Sequence, residues 1–202
     1  MTQLFEPQNV RRYRHGETRY GTRVEALLGS ACAVDATLRG HSRDVAAISV
    51  AVGKALRLSR RQLAMLELAA VVHDVGKSAV PTRILLKPAP LDEGEWAEMR
   101  RHPVLGAELL TAVVPDAVVE IVRSHHERWD GGGYPDGLAG DAIPLGARIV
   151  AVVDAYCAMT EPRPYRRADT AANARAELLT QAGTQFDADC AHAAVRVTAS
   201  TI

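Results

Sequence analysis

At 202 residues the chain is long enough for one well-buried core and short for two domains. Its 48% apolar and 24% charged content is that of an ordinary globular domain, and 24 basic against 24 acidic side chains leave no basic field to attract duplex nucleic acid. Cys32, Cys157 and Cys190 are odd in number and lack metal-ligand spacing, which fits free thiols in a reducing compartment. No window approaches the ~18 apolar residues of a membrane span, and the first residues lack the apolar run of a signal peptide. The reading is a cytoplasmic protein with no membrane segment, a polar tail over residues 1–21 and one folded unit over 22–202.

Helical periodicity dominates, so the expected fold is all-α. Val24, Leu27, Leu28, Ala31, Val34 and Leu38 trace a first apolar stripe. A second helix is predicted from about His41 to Leu58, with Val45, Ile48, Val52, Ala55 and Leu56 inward. The third, roughly Arg60 to Val75, is apolar almost all round and reads as the central buried helix, with Gly76 as its stop. Asp92 and Glu95 form a capping pair for a fourth that ends near Arg101. Pro103 suits the first turn of a fifth helix, and Pro115 opens a sixth that carries Val118, Val119, Ile121 and Val122 into His125 and His126. A glycine-rich loop follows to Ile143. Pro144 begins a seventh helix with Ile149, Val152, Val153 and Tyr156 inward, and two more run from about Asp169 to Gln181 and Asp187 to Thr198.

Five of the seven histidines, His41, His73, His102, His125 and His126, lie between residues 41 and 126, each at a predicted helix end. The intervals 41 to 73, 73 to 102, 102 to 125 and 126 to 154 are 32, 29, 23 and 28 residues. Each spans a helix or two with its connections, so successive helices can each deliver a donor to one point in a bundle core. His73-Asp74 is the sharpest local signal. A carboxylate at the end of a buried helix costs several kcal/mol or more unless compensated, and a metal compensates it. Its two oxygens can also bridge two ions. The simpler alternative is that Asp74 caps a loop and pairs with Lys77. From His125 to Gly137 two adjacent imidazoles precede a loop of four glycines, a tyrosine and a proline. Imidazoles suit metals, and glycines let a backbone approach an anion closely.

The ordered set HDVGK at 73–77, lone His41, His102-Pro103, HHERWDGGGYPDGL from 125 and VVDAY around Asp154 resembles the HD-GYP branch of the HD-domain phosphohydrolases. ILLKP at 84–88, IPLGARI at 143–149, RPYR at 163–166 and GTQFD at 183–187 extend the likeness over about Leu38 to Ala191. The resemblance implies an HD-type helical bundle in a single domain, with the irregular loop beside a central metal site. It also implies that His41, His73, Asp74 and Asp154 hold one divalent ion, and that Asp74 bridges to a second completed by His102, His125 and His126. The donor set suits Fe or Mn, with Zn or Ni as alternatives.

The implied activity is hydrolysis of cyclic di-GMP to linear pGpG, with GMP as a further product, by attack of a metal-bridging hydroxide. Asp74 and Lys77 are its expected catalytic residues. Lys77, Tyr134, Arg163 and Arg166 are the expected substrate contacts, the arginines because a planar fork suits phosphate. His15 and His192 are not expected to be ligands. Thr37 stands where some family members carry a glutamate for a third metal, and Cys157 where many carry a second aspartate, so two ions are expected and Cys157 is expected to pack. Other readings are a non-catalytic cyclic-dinucleotide receptor or docking module, and a phosphohydrolase for another nucleotide. A regulatory partner or a sensor domain outside this chain is expected to control it.

Overall fold

The structure, a computed structural model, describes residues 21–34, 38–162 and 168–200. Arg163, Arg166, Thr37 and His15 therefore lie outside the described residues. Among those described, ten α-helices and two short 3-10 turns form the chain, with no strand beyond one isolated bridge between Ala182 and Phe186. The helices are α1 (Gly21–Val34), α2 (Leu38–Ala55), α3 (Arg60–Val72), α4 (Thr82–Leu85), α5 (Glu93–Met99), α6 (His102–Leu110), α7 (Asp116–Ser124), α8 (Leu145–Thr160), α9 (Ala171–Thr180) and α10 (Ala188–Ala199). None of them is long and apolar enough to cross a membrane.

The all-α expectation holds, and most helix starts are set by local chemistry. Asp92 and Glu95 close the capping box of α5, a second box pairs Ser59 with Gln62 at α3, and Pro103 sits in the first turn of α6. Pro115 and Pro144 occupy the N-cap positions of α7 and α8. The first stripe is divided: Leu38 opens α2 rather than closing α1. The four-residue α4 carries too little periodicity to be seen in the sequence.

The most deeply buried helix is α8. Ala147, Ile149, Val150, Val152 and Val153 have no exposed surface at all, and α8 lies against α2, α7, α9 and α10. By contrast, only the second half of α3 is buried. That half ends at Val72, three residues before the predicted end at Val75, and the chain tightens into a 3-10 turn over Val75–Ala79. Gly76 serves a different purpose from the expected one. A Cβ there would stand 2.0 Å from the His102 carbonyl and 2.5 Å from the Gly106 amide. The missing side chain thus lets the 3-10 turn touch the α6 backbone, which carries His102 to Asp74.

Candidate metal centre

Helix ends deliver the candidate donors, as a bundle core requires. His73 caps the end of α3, His102 begins α6, His125 caps α7, His41 lies in the first turn of α2 and Asp154 in the second half of α8. The structure brings His41, His73, Asp74, His102, His125, His126 and Asp154 to one place. Two donor groups stand out there. His41, His73 and Asp74 can present atoms within 4.8 Å of one another, as can His102, His125 and His126. Asp154 joins the first group through His41, whose Nε2 lies 2.9 Å from Asp154 Oδ1, with His73 Nε2 at 3.9 Å from the same oxygen.

Asp74 stands between the groups. Its Oδ2 is 3.4 Å from His73 Nε2 and its Oδ1 is 3.3 Å from His102 Nε2. Lys77 Nζ donates to Oδ2 at 2.6 Å, so the ion pair of the simpler reading is present as well. Lys77 lowers the Asp74 pKa well below its ordinary value, with His73 and His102 helping, although burial acts the other way.

Three rings are oriented alike. Nδ1 of His73, His102 and His125 meets the carbonyl three residues earlier, that of Ala70, Met99 and Val122, at 2.8, 2.9 and 2.6 Å. A carbonyl accepts only, so each Nδ1 carries a hydrogen and each Nε2 of a neutral ring is a bare lone pair. Those of His102 and His125 point into the donor cluster. His73 Nε2 is buried without a hydrogen-bond partner. His102 Nε2 and His125 Nε2 face each other at 3.3 Å. A proton between them is disfavoured, because burial pushes His102 down to about 3 and drives His125 well below its ordinary value, where the neighbouring imidazoles also hold it. His126 is likewise pushed down to about 4, chiefly by burial. This donor set fits a cation in each group.

In the metal-free chain His41 and His73 are shifted the other way. Burial works against charge on His41, yet the hydrogen bond and charge of Asp154, with Glu161 and Asp74, raise its pKa to about 9. His73 is raised too, by Asp74 against the effect of burial. A proton on His41 supplies positive charge that the buried carboxylates need. Asp154 is correspondingly lowered: burial opposes this, and the His41 hydrogen bond overrides it.

The glycine loop folds back on the second group. Tyr134 N donates to the His126 carbonyl at 3.2 Å, and the two rings stack with centroids 5.0 Å apart at 27°. Gly133 permits this, since a Cβ would lie 2.3 Å from the Arg128 amide. The guanidinium of Arg100 lies 5.7 Å from the centroid of the Tyr134 ring. His126 and Arg100 both lie against the ring, and burial raises the pKa of the phenol, which keeps its proton. Cys157 is buried with its pKa raised by burial, a thiol that packs. His192 is exposed on α10, its Nδ1 on the Ala188 carbonyl.

Three contributors escaped the sequence reading. Arg100 is one. Glu127 is buried and accepts from the amides of Asp136 and Leu138 at 2.7 and 3.1 Å, pinning the loop. Glu161, at the end of α8, meets His41 Nδ1 with both oxygens at 3.1 and 3.0 Å. A buried-loop glutamate beside HH was the one available hint for Glu127; nothing local marks Glu161.

Comparison with known proteins agrees with this architecture. The HD domain family model matches residues 26–190. The cyclic di-GMP phosphodiesterase response regulator RpfG of Xanthomonas campestris is 47% identical over 148 residues, 72% of this chain and 39% of that protein. The 3'3'-cGAMP-specific phosphodiesterase 2 of Vibrio cholerae is 37% identical over 172 residues, 82% of this chain and 33% of its own length. The chain thus spans between a third and two-fifths of these relatives. The crystal structure of the cyclic GMP-AMP specific phosphodiesterase V-cGAP3 of V. cholerae superposes with a TM-score of 0.67 at 18% identity, over 88% of this chain and 49% of that one, a likeness of fold. With His73-Asp74 between its two donor groups and Gly133-Tyr134-Pro135 folded against His126, the chain belongs to the HD domain family, in its HD-GYP branch.

Proposed function

We propose that the chain is a metal-dependent phosphodiesterase that opens cyclic di-GMP to linear pGpG. The observation that carries this reading is the carboxylate of Asp74, one oxygen turned to His73 and the other to His102, between two separate donor groups. His41, His73, Asp74 and Asp154 would hold one divalent ion, and Asp74, His102, His125 and His126 the other, Fe or Mn suiting the mixed imidazole and carboxylate set. When bound, such a pair of ions polarises a phosphodiester, activates water and stabilises both the attacking and leaving oxygens.

The chain's own residues do the rest. Two divalent charges would exceed those of Asp74, Asp154 and Glu161, so the loaded site attracts an anionic diester. Lys77, paired with Asp74 and with its side chain 24% exposed, stabilises charge on a non-bridging or leaving oxygen. Tyr134 donates its hydroxyl to the substrate from a ring fixed by His126 and Arg100. Arg163 and Arg166 are proposed to contact the second phosphate. Relatives named for cyclic di-GMP and for 3'3'-cGAMP make the cyclic dinucleotide the substrate class. Guanine at both positions is our reading of it.

The test is to incubate metal-loaded protein with cyclic di-GMP and resolve products by chromatography beside Asp74→Ala. Linear pGpG from the wild type alone supports the assignment. Tight binding without turnover under Mn or Fe would sink it in favour of a receptor. Turnover of 3'3'-cGAMP with none of cyclic di-GMP would overturn the choice of base.

A further inference from the structure

His41 is held differently from the other oriented imidazoles. His73, His102 and His125 each rest Nδ1 on a neutral backbone carbonyl within their own helix end. His41 instead places Nδ1 against the carboxylate of Glu161, 120 residues away, with Oε1 and Oε2 at 3.1 and 3.0 Å. A carboxylate on the outer nitrogen fixes the ring and makes the inner nitrogen a stronger donor than a carbonyl does. Glu161 stands at the end of the same helix that carries Asp154, so α8 supports His41 from both sides: Asp154 on Nε2, Glu161 on Nδ1. Among the described residues the second donor group has no counterpart to Glu161. Beyond the shared Asp74 its donors are three imidazoles, two of them set by carbonyls. Among the described residues, three carboxylates, Asp74, Asp154 and Glu161, therefore contact the His41 group and one, Asp74, the other group.

We infer that Glu161 is a positioning residue that makes the two metal positions unequal, so that the His41 position fills first and tightly and the His126 position second and more weakly. The inference rests on the two-metal reading of the site and adds an order of loading to it. It makes the second ion the one whose supply governs whether the centre is complete. Glu161 is a good residue to test because its side chain is 32% exposed and lines a cavity of about 340 Å³ with Asp44, Ile48, Tyr156 and Thr198. An amide in its place stays solvated, and Gln still accepts from Nδ1 while removing the charge.

Metal-stripped protein is titrated with Co2+ and followed by calorimetry and visible absorbance. Wild type is expected to show two resolved steps. Glu161→Gln is expected to weaken the tighter step by ~10–100-fold and leave the other within about threefold, whereas His126→Ala removes the weaker step alone. In wild-type protein with one equivalent of Co2+, the NMR signals of His41 and His73 should broaden before that of His126, a readout that needs no variant. Two equal steps, equal weakening of both steps in Glu161→Gln, or broadening of His126 first would overturn the inference while leaving the phosphodiesterase reading intact. Failure of wild type to bind Co2+ at all would overturn both.

Discussion

His102 Nε2 and His125 Nε2 face each other at 3.3 Å while the opposite nitrogen of each ring is committed to a backbone carbonyl. Two lone pairs at that distance repel unless something positive lies between them, and burial denies the rings a proton. Metal removal should therefore destabilise the fold. Ligand at a hundredfold its dissociation constant stabilises by about 2.7 kcal/mol, which for a chain of this size corresponds to a Tm change of roughly 5–10 °C. Chelator-treated and metal-loaded protein compared by scanning calorimetry will show it; coincident melting curves would contradict it.

Among the described residues Asp74 is the one carboxylate in contact with both donor groups, so Asp74→Asn should remove both ions. Turnover is expected to fall by on the order of 10^3-fold or more. Asp154→Asn should be milder in metal content, since Asp154 contacts only the His41 side. Elemental analysis beside steady-state kinetics checks the contrast: fewer than 0.5 ions per chain in the first variant and about one in the second are expected, as only one group is touched.

The metal-free protein should be most stable close to neutrality. His41 has its pKa raised from 6.5 to about 9 in the folded state, so its contribution is complete below 6.5 and is lost as pH rises through 9. His102 and His126, lowered to about 3 and about 4, act in the opposite sense. Their unfolded forms take up protons below 6.5, so stability falls as pH drops from there toward the folded values. Melting temperature measured from pH 5 to pH 9 with chelator present should pass through a maximum near pH 6–7. A curve that rises steadily across that range would contradict these assignments.

Much of the site could be read from the chain because each donor sits in a local string: HD after an apolar helix, HP at a helix start, HH before a glycine loop, Asp154 within an apolar helix. The helices could be read for a similar reason, since capping residues and prolines act over three or four positions. What escaped depends on contacts across the fold. Gly76 looked like a helix stop, but its role is the 2.0 Å approach to the His102 carbonyl, a distance set by two elements that the sequence separates by 26 residues. Glu161 acts on His41 across 120 residues. The proton on His41 depends on Asp154 and Glu161 together, and no local pattern reports such a sum.

Gly76→Ala tests that approach. A methyl group at 2.0 Å from one backbone atom and 2.5 Å from another cannot be accommodated without moving the 3-10 turn off α6. Overpacking of this kind costs about 1–3 kcal/mol and occasionally more. Loss of metal should accompany it, because the displacement separates Asp74 from His102. A variant as stable as wild type with two ions bound would show that the turn and α6 are not in contact as described.

Glu127→Ala should release the loop. It leaves the amides of Asp136 and Leu138 without their buried acceptor, at a cost of roughly 2–3 kcal/mol. Because the loop orients Tyr134 and not the ions, KM for the cyclic dinucleotide should rise more than kcat falls, with metal content unchanged. Kinetics and elemental analysis on the same preparation separate these effects.

The most direct measurement of the central claim is turnover of cyclic di-GMP against bound metal, with Mn2+ or Fe2+ returned stepwise to stripped protein and ions per chain counted at each point. A two-ion centre spanning Asp74 predicts little activity up to one ion per chain, a steep rise between one and two, and a plateau at two. Full turnover at a single ion per chain, or activity that keeps rising to a third, would contradict it.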